Sequence, residues 1–232
     1  MGIPATPPPL RDPVRIMAEA AIRLSIFPLA GAILLPRAQL PLHIFEPRYQ
    51  ALVKDAMARD RRIAMIQPRD KDGEHGNRNP ALFEIGCIGK VSEVEAMEDG
   101  RFNLILEGLT RFRIVRELDA TTSFRQVEAI TQEFGDEAVA EPLSIAMRGG
   151  LIDESKRFAD MLGYAVDWNA VETLDDETLV NMVSQVAPFD TVAKQALLEA
   201  PTIDDRSELL IQFMEFFRMH QQQGGDDRAT LQ

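Results

Sequence analysis

The stretch GCIGKVSEVEAMEDGRFNLILEGLTRFRIVREL (Gly86–Leu118) has the period of a β-sheet. Phe102, Leu104 and Leu106 alternate with Arg101, Asn103 and Ile105, so one set of side chains shares a face that points into a core. Between the two strand-like runs stand Glu98, Asp99 and Gly100, and Gly100 can supply the positive φ of a tight reversal. Working outward, short apolar runs punctuated by Pro and Gly predict strands over Leu24–Phe27, Ala32–Leu35, Ile63–Gln67, Gly86–Met97, Arg101–Glu107, Thr110–Leu118 and Arg125–Gln132. One helix interrupts them. Pro47 suits a first turn, Glu46 favours the positive helix end, and Tyr49, Leu52, Val53, Ala56 and Met57 recur at helical spacing up to Asp60. The polar run DKDGEHGNRNP (Asp70–Pro80) reads as a loop.

After Glu141 the period changes to 3.6. Pro142 is placed to open a helix to about Leu162, with Gly149-Gly150 weakening its middle. Asp175 or Asp176 caps a second helix ending before Pro188. Asp190 caps a third, with Val192, Ala193, Ala196 and Leu197 inward. A fourth starts near Thr202–Asp205 and carries Leu209, Leu210, Phe213, Met214, Phe216 and Phe217, read as helix-bundle core. The expected fold is α+β: a partly closed β-barrel, which leaves fewer exposed edges than an open sheet, with one inserted helix and then an α-helical bundle. The expected division is a Pro-rich mobile arm over 1–22, a β-rich part over 23–134, a helical part over 135–220 and a disordered tail over 221–232.

Across 232 residues, 45% are hydrophobic and 27% charged, near the average for a folded protein, and the net charge is -12. The charge is uneven. Residues 1–130 hold 18 Lys+Arg against 17 Asp+Glu, a balance of +1, whereas residues 131–232 hold 7 against 20, a balance of -13. Part of that acid sits at helix starts, where the helix dipole favours it. A general nucleic-acid binder would need a concentrated basic face, which the total opposes; for the nearly neutral β-rich part the exclusion is weaker. The single cysteine, Cys87, excludes an internal disulfide and a four-thiolate zinc site. No apolar run reaches the roughly 20 residues of a membrane span, and the N-terminus lacks the pattern of a secretory signal, so a cytoplasmic protein with no membrane partner is expected.

The familiar catalytic constellations are missing: the sequence contains no GxxxxGK[ST], HExxH or GxSxG. His43, His75 and His220 lie in different kinds of segment, and neither metal nor cofactor is expected. His43 with Glu46 can be drawn as an acid/base pair, but an ion pair of Glu46 with Arg48 at the helix start is the preferred reading. Cys87, between small residues in a strand, reads as a buried thiol. Arg59, Arg61 and Arg62 read as a solvated helix end.

Three motifs in order, PLHIFEPRY (Pro41–Tyr49), IGCIGKV (Ile85–Val91) and EGLTRFRI (Glu107–Ile114), resemble the N-terminal substrate-binding domain of the ATP-dependent Lon proteases; the resemblance spans about Leu24 to Leu210. It implies a PUA-like barrel followed by a helical bundle, in agreement with the change of period. It also singles out His43, Phe45, Glu46, Arg48, Tyr49, Gly86, Gly89, Glu107, Gly108, Arg111 and Phe112 as family-motif residues, mostly structural. Gly108 is expected at a bend between strands, and Arg111 and Phe112 on opposite faces. No counterpart of the family's AAA+ ATPase or serine-lysine peptidase modules is found in these residues. The function implied is therefore non-catalytic: binding protein or peptide substrates, unfolded or specific, in protein quality control, at apolar surface where barrel and helices meet. The alternatives are an RNA-binding PUA-like module, since that barrel resembles RNA-binding relatives, and a stand-alone hydrolase.

Overall fold

A chain whose strand residues alternate between two apolar environments must bury both faces of its sheet, and successive residues here do enter different cores. Ile26, Ala64, Ile88 and Phe112 belong to one cluster with Leu24, Ile66, Val127 and Ala129, inside the ring of strands. Their neighbours Phe27, Met65 and Cys87 join a larger cluster that continues into the helices. The structure is a computed structural model that describes residues 21–69 and 79–229, with side chains through residue 220. The expected arm, up to residue 20, lies outside the described residues, as do residues 70–78 of the expected loop and the last three residues of the expected tail.

The order is β1 (Ile22–Pro28), β2 (Gln39–Ile44), α1 (Pro47–Met57), β3 (Arg62–Ile66), β4 (Ile85–Ala96), β5 (Phe102–Leu118), β6 (Gln126–Ile130), α2 (Ile145–Leu162), α3 (Trp168–Glu172), α4 (Asp176–Val186), α5 (Thr191–Glu199) and α6 (Ile203–Ala229). The sheet runs β2-β5-β4-β3-β1-β6, and β6 pairs again with the far half of β5, so the strands curl into a partly closed ring. Among the described residues only β1 and β3 pair in parallel; β2, joined to the near half of β5, extends the sheet outside the ring. The α+β reading holds.

The hairpin forms as expected, with Gly100 at φ 84 and Met97 N–H bonded to the Arg101 carbonyl. Several boundaries differ. Arg101–Glu107 and Thr110–Leu118 are one strand, because register shifts at Ile88/Gly89 and Val91/Glu93 absorb the curvature on β4. Ala32–Leu35 is no strand; Ile33, Leu34 and Leu35 are buried in an irregular connection, with Gln185 Nε2 donating to the Ile33 carbonyl. α1 ends at Met57 rather than Asp60, where Arg61 adopts φ 62 and its N–H returns to the Ala56 carbonyl.

Helix α2 begins at Ile145 because Ser144, not Pro142, is the cap, accepting from Met147 N–H. Asp167, Asp175 and Asp190 cap α3, α4 and α5 in the same way, and α3, only five residues long, is an element the sequence pattern did not signal. Thr202 and Asp205 form a reciprocal capping box at α6. Among the phenylalanines, Phe213 and Phe217 meet Phe189 and Phe158 at ring distances of 5.7 and 5.6 Å, but Phe216 is exposed and lies against His220. Val192 also faces outward; the buried face of α5 is Lys194, Gln195, Leu197 and Leu198.

Candidate functional site

The residues singled out in the sequence separate into two places. His43, Phe45, Glu46, Arg48 and Tyr49 meet at a surface groove of about 410 Å³, formed where β2 passes into α1. Pro47 fixes the first turn of α1, and Glu46 occupies the cap position without a side-chain capping bond, leaving its carboxylate to accept from Arg48 Nε at 2.9 Å. Arg48 also lies 4.4 Å over the Tyr49 ring, which packs 4.2 Å from Phe27 and donates its hydroxyl to the Pro28 carbonyl. Burial raises the Tyr49 phenol above its ordinary value.

Phe45 is held by none of this. Its side chain is 62% exposed at the rim, 6.2 Å from the His43 ring, while Gln50 Nε2 fixes its carbonyl. His43 is occupied by Asn103 Oδ1 at 2.7 Å from Nδ1, so it is not poised beside Glu46 as an acid/base partner. The opposite wall is made by Leu29 and the prolines Pro28, Pro68 and Pro80, which no local motif connects with β2.

The remaining motif residues lie within the architecture. Gly86 faces Phe112 across the β4-β5 ladder, and a Cβ there would lie 2.6 Å from the Phe112 ring and overlap the Met65 carbonyl oxygen. A Cβ at Gly89 would lie 2.7 Å from Leu34, and one at Gly108 would overlap the Leu35 carbonyl oxygen. Gly108 thus admits the buried connection against the middle of a continuous strand instead of bending between two. Glu107 is exposed, opposite Lys90 and Gln39 in the ladders.

Arg111 and Phe112 do face opposite ways. Phe112 fills the ring of strands, while the buried Arg111 guanidinium reaches the helical part. It pairs with Asp136 at 2.8 Å and donates to the carbonyls of Leu198, Ala200 and Pro201, with its own N–H also bonded to Asp136. Beside it Arg37, at φ 62, holds Glu177 through two bonds of 2.7 Å and the Asp136 carbonyl through a third. Arg206 binds Asn181 and the Leu197 carbonyl, and burial pulls its guanidinium down to about 10. The hollow where barrel and helices meet is consequently lined by Arg37, Arg111, Asp136, Glu177 and Arg206 rather than by apolar surface alone. Asp136, Arg37, Asn181 and Arg206 carry no local signature; their roles depend on contacts far apart in the chain.

Cys87 is fully buried, and burial pushes its thiol far up, the opposite of an activated nucleophile. Among the described residues no group of three or more His, Cys, Asp or Glu is arranged to hold a metal ion; His75 lies outside them. No described helix is long and apolar enough to cross a membrane.

The model of the ATP-dependent protease La (LON) substrate-binding domain matches residues 23–215. Lon protease 2 of Herpetosiphon aurantiacus is 26% identical over 196 residues, covering 82% of this chain and 23% of that protein. The Lon protease of Escherichia coli K12 is 22% identical over 199 residues, covering 84% and 25%. The chain therefore spans about a quarter of the length of these relatives. Among solved structures, a Lon N-terminal domain protein from Xanthomonas campestris superposes with TM-score 0.60 at 21% identity, over 83% of this chain and 99% of that one. The N-terminal domain of a Mycobacterium avium complex Lon protease gives 0.59 at 15% identity, over 84% and 98%. On the extent of the family match, which takes in residues 23–215, the chain belongs to the LON substrate-binding domain family.

Proposed function

We propose that the chain is a non-catalytic module that binds protein or peptide segments, in a cytoplasmic quality-control setting, through the groove between β2, α1 and the end of β1. The observation that carries this reading is Phe45: a large apolar side chain, 62% exposed, on the rim of a concavity rich in proline and aromatic residues, in a family whose model describes substrate binding. Exposed aromatic anchors beside preformed grooves commonly dominate binding energy. The groove holds no nucleophile with a base beside it, so it favours binding over chemistry.

RNA would find its best footing on a different hollow, lined by Arg23, Arg59 and Arg62, but Asp55 and Asp60 share that surface and pair with Arg59 and Arg62. Protein is therefore the preferred ligand. The test is titration of the whole chain with a reduced, alkylated model protein, followed by calorimetry. Binding is expected, with Phe45→Ala about tenfold weaker or more and the thermal melt unchanged. Absence of binding by the intact chain overturns the reading, and tight, steeply salt-dependent binding of single-stranded RNA in its place would support the nucleic-acid alternative.

A further inference from the structure

Strand β2 ends the sheet: among the described residues it pairs with β5 and with no other strand. Its side chains divide cleanly. Leu40, Leu42 and Ile44 turn inward to the large core, while Gln39, Pro41 and His43 are exposed on the other face. A proline within a strand is accommodated when its nitrogen faces away from the ladder. By the pleat, Gln39 and His43 then present their N–H groups, and Gln39, Pro41 and His43 their carbonyls, to the unpaired edge.

Two concavities flank that edge and share Pro41, Leu42 and His43. One is the apolar groove with Phe45. The other, of about 490 Å³, spans the outer face of β2, β5 and β4 and contains Glu93, Glu95, Asn103 and Ile105. That face is acidic. Glu95 accepts from Asn103, which in turn binds His43, and among the described residues neither Glu93 nor Glu95 is in an ion pair. Arg101, the neighbouring cation, lies 3.5 Å from His43 Nε2 and is neutralised by Asp99 at the hairpin.

We propose that β2 receives an extended segment of a client protein as an additional strand, with apolar residues entering the Phe45 groove and Lys or Arg at alternate positions over the Glu93/Glu95 face. This rests on the protein-binding reading and specifies its ligand. Strand addition supplies main-chain bonds that are indifferent to sequence, while the two-residue period sends successive side chains to opposite faces. One face selects apolar groups by burial; the other attracts cations through a field that reaches about 8 to 10 Å at ordinary salt. Pro41 removes one donor from the middle of the edge, which keeps the strand from pairing indiscriminately with copies of itself.

The experiment uses the whole chain and dye-labelled peptides about eight residues long, read by fluorescence anisotropy at low salt. A peptide alternating Val with Lys is expected to bind about tenfold or more tightly than one alternating Val with Glu, and the Glu93→Lys/Glu95→Lys variant, whose substitutions are exposed, reverses the preference. Backbone N-methylation of one alternate set of residues abolishes binding, and methylation of the other set leaves it, because only one set turns its donors toward β2. Equal binding of both methylated forms, or of the Lys and Glu peptides, overturns the proposal. If the reduced, alkylated protein still binds in that event, protein binding stands and the strand-addition mode falls. If neither protein nor peptide binds, both fall.

Discussion

Arg111 shows how much one side chain can be asked to do. Its side chain is 4% exposed and its guanidinium is bonded to the Asp136 carboxylate and to three carbonyls at the end of α5 and just beyond it, so removing it leaves a buried anion and several buried acceptors without partners. Arg111→Ala is expected to cost about 3 to 5 kcal/mol, measured by urea unfolding, whereas Arg111→Met with Asp136→Leu recovers part of the loss because neither member of the pair is left buried without the other. A single variant as stable as the parent would show that the pair is dispensable. Cys87 gives a pH prediction. Burial raises its thiol in the folded protein above its unfolded value, so its contribution is complete below the unfolded thiol value of about 8.5 and declines as pH rises beyond it. A thiol reagent at pH 8 is expected to leave Cys87 unlabelled until the chain unfolds. The sequence motif marked Arg111, but its partner Asp136 was not legible, since nothing in FGDEA (Phe134–Ala138) distinguishes the buried acid from its exposed neighbour Glu137.

At the level of elements, legibility followed how local the cause was. The hairpin and the Asp190 cap arise from neighbours within a few residues and are legible in the sequence, as is the α4 cap to within the pair Asp175/Asp176, while Ala32–Leu35 has the composition of a strand but forms an irregular buried connection packed against Gly108. The five-residue α3 is too short to show a period, and Phe216 and Val192 lie at stripe positions that the packing leaves outside. Two substitutions test these causes. Asp190→Ala removes the acceptor for Ala193 N–H and is expected to cost about 1 kcal/mol, read as a lower melting temperature. Gly108→Ala should be far more damaging, because the added carbon meets backbone at Leu35 rather than a movable side chain. If it behaves like an ordinary surface change in a thermal melt, the close approach is not what requires glycine.

On the scale of the whole molecule, barrel and helices are tied by polar bonds reaching across the chain. Gln67 meets Gln195 and the Thr191 carbonyl, Gln195 meets the Ile85 carbonyl, and Asn181 meets the Pro36 carbonyl. The larger core also runs through both parts without a break. The change of period near Glu141 falls between the end of β6 and the start of α2, but it carries no sign that strands and helices share a core, since periodicity reports on one element at a time. Calorimetry is expected to show one unfolding transition for the intact chain, and two separated transitions would mean that the parts are independent.

The bonds of Arg111 to the end of α5 also imply an order of events. A helix leaves its last carbonyls without partners, and those of Leu198 and Ala200 are completed by a strand residue made nearly ninety positions earlier, with Arg206 completing Leu197. During synthesis the ring of strands can therefore form before α5 exists, whereas α5 cannot acquire its finished terminus until β5 is in place. The barrel then acts as the template on which the helices are assembled. In refolding followed by hydrogen exchange, protection is expected in β4 and β5 before the C-terminal turn of α5.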